Sequence, residues 1–494
     1  MGLQWLLDNA LTVVVAVVST LFVLTVVAVA LGLGLGLGLK DECYCEPLDL
    51  PSLCPATEDR VIKVGVLHSL SGALATSERP VVDATLLAIQ EINDAGGVNG
   101  YRLQPVLRDG NSNEAIFATE MTNLLATEQV AVVFGCWTSA SRKAVLDPLA
   151  ESDGLLFYPV QYEGVEQNPN VIYTGAAPNQ QIIPVVRWAA GGERKWKKFA
   201  LVGSDYIFPR TANAIIKDVI DYELSDSTYE EWYLVLGDIN VGRIKEVAED
   251  IVAYQPDVIL NTINGDTNIN FFLLLDQVGG GNIPIVSFSL AEPEIRSIGA
   301  SILTGGLAAW NYFQSLPGTA NSQFVDRFKA RYGDASVIGD PMVAAYSGVY
   351  LYAEAARLAK TFDKQAILAA LKSEQVRFNS PQGSLSVDPN NQHTVKSWYL
   401  GYADNNGQFV VYPEDDTPII PDPYPLYPRH PDRESWEAFL HCWNGQWGGS
   451  WSNTQGPAFI KPNDQCDPES IDRRRRTGID GGGLPHDHHH HQEL

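Results

Sequence analysis

Three short apolar runs of the chain lead into aromatic and small polar residues, a combination that suits the binding of a small polar molecule. The groups that follow these runs are GCWTS (135–139), YPVQYE (158–163) and DYIFP (205–209). Aromatic walls with a few hydrogen-bond donors and acceptors are typical of sites for small neutral polar ligands. Each aromatic residue alone could belong to the core, but three such groups at successive strand ends favour a binding site.

Catalytic patterns are missing from the sequence, which has no GxSxG, HExxH, Walker A or CxxC motif. His68 follows a predicted strand and His393 lies in a predicted loop. Neither histidine has neighbours that complete a nucleophile or a metal-ligand set, so structural roles are expected for both. We therefore predict a protein that is not an enzyme and that uses no cofactor and no metal ion.

Alternating strand and helix patterns from Val61 onward predict the elements that position these groups. Such alternation indicates an α/β protein with parallel sheets covered by helices, and a body this long needs two doubly wound sheets. Ligands of open parallel sheets bind beyond the carboxyl ends of the strands. The predicted strands are 61–67, 101–107, 130–134, 155–158, 198–203, 258–261 and 283–288, and the predicted helices include 81–93, ended by Gly96 and Gly97, and 139–146.

The charge of the chain restricts its partners. The 494 residues include 34 Lys and Arg against 59 Asp and Glu, which gives a formal net charge of −25. Such a surface repels nucleic-acid phosphates and anionic lipid headgroups, so we do not expect the protein to bind nucleic acid. An anionic small molecule is not excluded, because the charge of a pocket can oppose the net charge.

The N-terminal region predicts a membrane tether. No charged residue occurs from Asn9 to Leu39, and roughly 20 apolar residues suffice to cross a bilayer as a helix. A cleaved export signal is the alternative, but the run is long for one and lacks a basic start. We expect a tip (1–9), a transmembrane helix (10–39) and a stalk (40–60), with the body outside the cytoplasmic membrane.

Six cysteines support an oxidising, periplasmic or other extracytoplasmic location. Cys54 could pair with Cys43 or Cys45, and a second disulfide is plausible between the two C-terminal cysteines, Cys442 and Cys466. Acidic neighbours, no nearby histidine and no second CxxC argue against zinc at the N-terminal cysteines. The remaining cysteine, Cys136, is expected to be a buried free thiol.

The chain changes character after Tyr412. Seven prolines between 413 and 431 prevent regular structure and predict an extended strap. Trp436, Trp443, Trp447 and Trp451 could stack on sugars or on a partner, but packing against the body is the favoured interpretation. The polar tail ends in a histidine run that is either a metal chelator or an expression tag.

Eight stretches of the body together resemble type I periplasmic binding proteins, the superfamily of leucine/isoleucine/valine-binding proteins, and most closely its urea and short-chain amide branch. The first, AIQEINDAGGVNG, is typical of the wider family, and the others narrow the resemblance. In order along the chain they cover 88–100, 135–143, 158–164, 177–181, 203–206, 264–266, 287–292 and 308–313.

The resemblance implies a body (61–412) of two lobes joined by three crossings, whereas the C-terminal extension (413–494) departs from the pattern of the family. It places the crossings near Thr174–Ala177, Leu307–Asn311 and Phe378–Gly383. The first lobe would comprise about 61–175 and 311–378, and the second about 176–310 and 379–412. The implied function is a receptor that passes urea or a small amide to the permease of an ABC importer, whose permease and ATPase would be separate chains.

Urea offers one acceptor oxygen and four N–H donors, which assigns expected roles to the strand-end residues. The hydroxyl of Ser139 and nearby backbone N–H groups suit the oxygen, and the carboxylates of Asp205 and Glu292 suit the N–H groups. Two alternatives are a membrane-tethered amide sensor that acts through a partner without transport and, less favoured, an amidohydrolase. The expected ligand contacts are Trp137, Ser139, Tyr158, Val160, Asp205, Tyr206, Phe208 and Glu292.

Overall fold

The computed structural model describes residues 60–441 apart from 193, 300–302, 304 and 413–416. The core of its first lobe is a parallel sheet of five strands. The spatial order of its strands is β2-β1-β3-β4-β5, and every neighbouring pair is parallel. The elements are β1 (Val61–His68), α1 (Ala75–Asp94), β2 (Arg102–Asp109), α2 (Glu114–Thr122), β3 (Val133–Gly135), α3 (Ser139–Glu151), β4 (Leu156–Tyr158) and β5 (Val171–Tyr173).

The second lobe begins with a helix and continues the strand–helix alternation. Its inner strands run in the order β10-β9-β8-β6-β7 and are parallel. The predicted α/β class with parallel sheets is thereby confirmed. The elements are α4 (Ile182–Ala190), β6 (Lys198–Ser204), α5 (Ile207–Glu223), β7 (Thr228–Leu234), α6 (Val241–Tyr254), β8 (Val258–Thr262), α7 (Thr267–Gln277), β9 (Ile285–Ser287), α8 (Glu292–Ile298) and β10 (Leu307–Trp310).

The last third of the described chain contributes to both lobes. Three helices return to the core of the first lobe, where Phe324, Tyr352 and Leu371 are buried. Two late strands extend the second sheet as β15-β14-β10, with antiparallel pairing. The elements are α9 (Thr319–Tyr332), α10 (Asp340–Ala359), α11 (Lys364–Lys372), β11 (Phe378–Ser380), β12 (Gly383–Val387), β13 (Thr394–Val395), β14 (Tyr399–Ala403), β15 (Phe409–Val411) and α12 (Arg433–His441).

Local sequence signals predict the end of the first helix correctly but not its start. Helix α1 stops at Asp94, and Gly96 and Gly97 follow with φ of 99° and 75°, a conformation that glycine adopts without strain. Its start at Ala75 lies six residues before the predicted one, because Pro80 is accommodated inside the helix instead of beginning it.

The chain passes between the lobes at 174–181, at 311–318 and at 396–398. The second crossing begins at Asn311, because 307–310 is strand β10 of the second sheet. The third differs from the expected Phe378–Gly383, since strands β11 to β13 stay with the first lobe. Phe378 and Val387 pack in or against its core, and His393 pairs with Tyr173.

One side chain ties the three crossings together. The amide nitrogen of Asn311 donates to the carbonyls of Gln180 and Ser397 at 3.1 and 2.7 Å. Gln180 in turn donates to the carbonyls of Thr394 and Ile419, each at 3.0 Å. The three crossings are therefore hydrogen-bonded to one another.

The C-terminal segment 417–441 packs on the body and ends in a helix that the proline-rich pattern did not predict. In α12, Trp436 is fully buried and its indole N–H donates to the carbonyl of Pro425 at 2.9 Å. Its ring stacks on His430 with a centroid distance of 3.7 Å. Packing against the body is thus confirmed for Trp436, whereas Trp443, Trp447 and Trp451 lie outside the described residues.

Several N-terminal and C-terminal expectations fall outside the part of the chain that the structure describes. These are the tip, the membrane helix at 10–39, most of the stalk and both candidate disulfides. Within residues 60–441, no described helix has the length and apolar character needed to cross a bilayer. Cys136 is a buried free thiol, as predicted.

Candidate functional site

The carboxyl end of β3 turns sharply into helix α3. A side chain at Gly135 would place its Cβ 2.2 Å from the carbonyl oxygen of Leu67, so only glycine fits there. Cys136 follows with φ of 66°, an uncommon left-handed conformation for a residue with a side chain. Thr138 then caps the helix by accepting from the N–H of Ser141 at 3.0 Å. This strained turn directs Trp137 and Ser139 to the strand-end edge.

The carboxyl edges of the two sheets face one another across a cleft that is closed in this structure. Gln161, which follows β4, donates to the carbonyl of Phe288 at 3.0 Å and to the hydroxyl of Ser289 at 3.2 Å, both after β9. Ser77 of α1 donates to Glu294 of α8 at 2.8 Å. The cleft between the lobes is therefore where groups from both sheets can reach one small molecule.

A fully buried guanidinium organises the first lobe's side of the cleft. Arg142 donates from Nε to Glu166 at 2.9 Å, from Nη1 to Ser139 at 3.1 Å and from Nη2 to Glu163 at 2.8 Å. The rings of Tyr158 and Tyr162 lie 4.9 and 4.5 Å from its central carbon. We call these six residues, together with Lys143, which pairs with Glu166 at 2.5 Å, the arginine cluster.

The hydroxyl of Ser139 is already engaged in this cluster. It accepts from Arg142 and donates to the carboxylate of Glu163. The donors that remain for a ligand oxygen at the start of α3 are the backbone N–H groups of its first turn, because these groups make no hydrogen bond within the helix.

Burial and charge together shift the protonation of the cluster. Burial raises the pKa of Tyr158 and of Tyr206, so both phenols stay protonated. Burial alone would also raise the pKa of Glu166, but Arg142 and Lys143 outweigh it, and the pKa falls to about 2. Burial raises the pKa of Tyr206 most, and the negative charge of Glu163 raises it further.

Five of the expected contacts are associated with one part of the cleft. Trp137, Ser139 and Tyr158 are linked in the first lobe, where the Tyr158 hydroxyl donates to the carbonyl of Trp137 at 2.6 Å. Tyr206 adjoins them from the second lobe, and Phe208 lies beside it with a ring distance of 6.3 Å.

Three other expected contacts have different surroundings. Val160 is buried, and its carbonyl lies so close to Gly175 of the first crossing that a Cβ there would approach to 2.0 Å. Asp205 pairs with Arg210 at 2.7 Å. Glu292 is fully buried at the second crossing, where it accepts from the N–H of Gln314 at 2.8 Å, and burial raises its pKa to about 8.

Sequence reasoning did not single out Arg142, Gln161 and Glu163 as site residues, although all three lie in the stretches that carry the family resemblance. The available signal was local for Arg142, which stands three residues after Ser139 and so on the same face of α3. For Gln161 and Glu163 the signal was a polar residue on each side of Tyr162. No group of three or more His, Cys, Asp or Glu within the described residues could hold a metal ion.

The chain belongs to the periplasmic binding protein family, since the family's profile, described as a periplasmic binding protein domain, matches residues 62–430. A Leu/Ile/Val-binding protein homolog of Brucella melitensis is 25% identical over 391 residues, which cover 74% of this chain and 94% of that protein. A shorter stretch of 126 residues is 32% identical to limonene hydroxylase of Geobacillus stearothermophilus, and it covers 26% of this chain and only 23% of that protein.

Solved structures share the fold at low sequence identity. The solute-binding protein of an ABC transporter from R. palustris, in complex with 4-hydroxybenzoate, is 23% identical, with a TM-score of 0.63 and coverage of 73% of this chain and 97% of that chain. The branched-chain amino acid transporter substrate-binding protein of Streptococcus pneumoniae, in complex with isoleucine, is 21% identical, with a TM-score of 0.60 and coverage of 72% and 100%.

Family membership settles the class of protein. The chain is a solute-binding receptor of the periplasmic binding protein type. The family is one of extracytoplasmic receptors, in agreement with the expected location of the body.

Proposed function

We propose that the protein binds urea or a short-chain amide between its lobes and delivers it to an ABC permease. The observation that carries the proposal is that buried amide and carboxylate oxygens near the cleft are left without a hydrogen-bond partner. In the described part of the chain these include Oε1 of Gln161 and Oε1 of Glu78. Buried polar atoms are normally hydrogen-bonded, so such atoms favour a ligand that brings N–H donors.

The cations near the cleft argue against a carboxylate ligand. Arg142 is paired with Glu163 and Glu166, and Arg210 is paired with Asp205. Neither arginine is therefore left to pair with a carboxylate ligand, and burying a charge without a partner is costly. Urea and small amides are neutral, planar and rich in N–H groups, and the aromatic residues around the cleft suit a planar ligand.

The proposal is tested by calorimetric titration of the purified full chain with urea, formamide, acetamide, 4-hydroxybenzoate and isoleucine. We expect saturable heats from urea or an amide and none from the last two compounds. Saturable binding of 4-hydroxybenzoate or isoleucine, with no response to urea or the amides, would refute the proposed ligand class.

We also propose that the apolar run at 10–39 tethers the receptor to the cytoplasmic membrane. The support is its length: 30 residues span about 45 Å as a helix, against a hydrocarbon core of about 30 Å. A tethered receptor meets its permease at a high effective concentration. Sequencing the N-terminus of the mature protein decides the matter, because a start beyond Leu39, with release from membranes by salt, would make the run an export signal.

A further inference from the structure

The buried charges of the arginine cluster contribute more to the orientation of its side chains than to the stability of the protein. Arg142 and Glu163 are fully buried, and Glu166 and Lys143 nearly so, which makes two cations and two carboxylates. A buried ion pair is often no more stabilising than apolar residues of the same volume. What the guanidinium provides instead is geometry, because its planar fork holds three partners in fixed directions at once.

Glu163 stands where both lobes meet. One of its oxygens accepts from Arg142 and the other from Ser139. An ionised carboxylate has about four lone-pair sites, so two acceptor positions remain after these bonds. Glu163 is two residues from Gln161, whose amide donates to Phe288 and Ser289 of the second lobe at 3.0 and 3.2 Å.

We infer that Glu163 is the specificity-determining acceptor for the N–H groups of the ligand, and that Arg142 is the positioning residue that holds Glu163 and Ser139 in place for it. This inference rests on the proposed function and deepens it. A negative acceptor in the closed cleft selects amides and urea and repels carboxylates of the same shape. It thereby gives a physical reason for the choice between an amide and the isosteric acid.

The selectivity test compares acetamide with acetate, which have nearly the same shape and differ in N–H donors and charge. Glu163→Gln keeps the size of the side chain and removes its charge. We expect its affinity for urea and acetamide to fall about ten- to hundredfold, and its preference for acetamide over acetate to narrow. Calorimetric titration of the full chain measures both quantities, and circular dichroism verifies the fold.

Asp218→Asn is the matched control. Asp218 is also a fully buried carboxylate, paired with Arg429 at 2.7 Å and with His430 at 2.7 Å, but these contacts link α5 to the C-terminal segment. Its neutral variant should lose stability while keeping the parent's affinity for urea and the parent's preference for acetamide. An equal loss of affinity in both variants would mean that Glu163 acts only through general stability, and would overturn the inference.

Arg142→Lys separates positioning from charge. Lysine keeps the positive charge but replaces the fork by a single point of attachment. We expect affinity for urea and acetamide to fall about tenfold together, while the preference for acetamide over acetate stays, because Glu163 remains charged. Affinity equal to that of the parent would overturn the positioning role.

The outcomes distinguish this inference from the proposed function. If the parent binds urea and Glu163→Gln binds it equally well, with an unchanged preference for acetamide, the inference alone fails. If the parent prefers acetate or 4-hydroxybenzoate, or binds none of the probes, the proposed function fails and the inference falls with it.

Discussion

Two buried ion clusters of this protein are built from similar parts and differ in what they connect. The arginine cluster joins residues 139–166, all within one lobe and close along the chain, and it faces the cleft. The second cluster joins Asp218 of α5 to Arg429 and His430, more than 200 residues away, and it faces the C-terminal segment. Both bury a carboxylate completely and both bring aromatic rings against a cationic or histidine side chain.

The two clusters differ in whether hydrogen-bond acceptors beside them are left without a partner. Both oxygens of Asp218 are occupied by residues of the segment, whose helix α12 packs Trp436 into the second lobe. Beside the arginine cluster, Gln161 keeps a buried acceptor without a partner. The same chemistry thus attaches a segment in one place and leaves acceptors for a ligand in the other.

Loss of the segment's anchor should have the largest effect on stability. Trp436→Ala removes a fully buried indole, and we expect a loss of about 3–5 kcal/mol in the free energy of unfolding. The affinity for urea should not change, because the contacts of Trp436 are with the segment and the second lobe. Thermal denaturation and calorimetry measure the two quantities.

Ile239→Ala serves as the control for that variant, because Ile239 is 73% exposed. Its free energy of unfolding should stay within about 0.5 kcal/mol of the parent. A Trp436→Ala protein that melts like the parent, or that loses affinity in step with stability, would break the distinction between the two clusters.

A paired and an unpaired buried carboxylate should respond oppositely to pH. Arg142 and Lys143 overcome burial and lower the pKa of Glu166 to about 2, below its ordinary value of 4.5. Its contribution to stability is therefore complete above pH 4.5 and is lost as the pH falls toward 2. Burial raises the pKa of Glu292 to about 8, so its contribution is complete below pH 4.5 and is lost as the pH rises toward 8.

Melting temperatures of two variants across this pH range measure the contrast. Glu166→Gln should flatten the acid side of the parent's stability profile, and Glu292→Gln should flatten the side between pH 4.5 and 8. Profiles that keep the parent's slopes in both variants would show that neither carboxylate titrates as its surroundings require.

The smallest effect concerns closure of the cleft. Gln161→Ala removes two hydrogen bonds between the lobes and the acceptor Oε1 that we propose for the ligand, and we expect the affinity for urea to fall about five- to tenfold. Gln181→Ala is the matched control, because Gln181 also donates to the carbonyl of Phe288 but precedes α4 of the same lobe. Its affinity for urea should stay that of the parent.

Small-angle scattering adds a direct measure of this motion. The parent's radius of gyration should decrease when urea binds, since closure brings the lobes together by hinge rotation. Identical curves with and without saturating urea would indicate a receptor that is closed before it binds.

Local patterns of the sequence determined the elements and the class of the protein. The β-branched run at 61–67 and the glycines after α1 helped to predict parallel α/β elements, and the resemblance of GCWTSASRK and seven other stretches to known proteins indicated a family of binding proteins. They succeed because helix ends, strand periodicity and turn residues depend on neighbours within a few positions of the chain.

Only the tertiary structure decided which polar groups meet. Nothing in the sequence distinguishes Asp205, which pairs with Arg210 of the helix that follows it, from Glu163, which is buried beside Arg142. The third crossing at 396–398 and the docking of α12 likewise depend on which core the late strands and Trp436 join. Burial and ion pairing arise from how whole elements pack, so partners such as Gln161 and Phe288, 127 residues apart, leave no local trace in the chain.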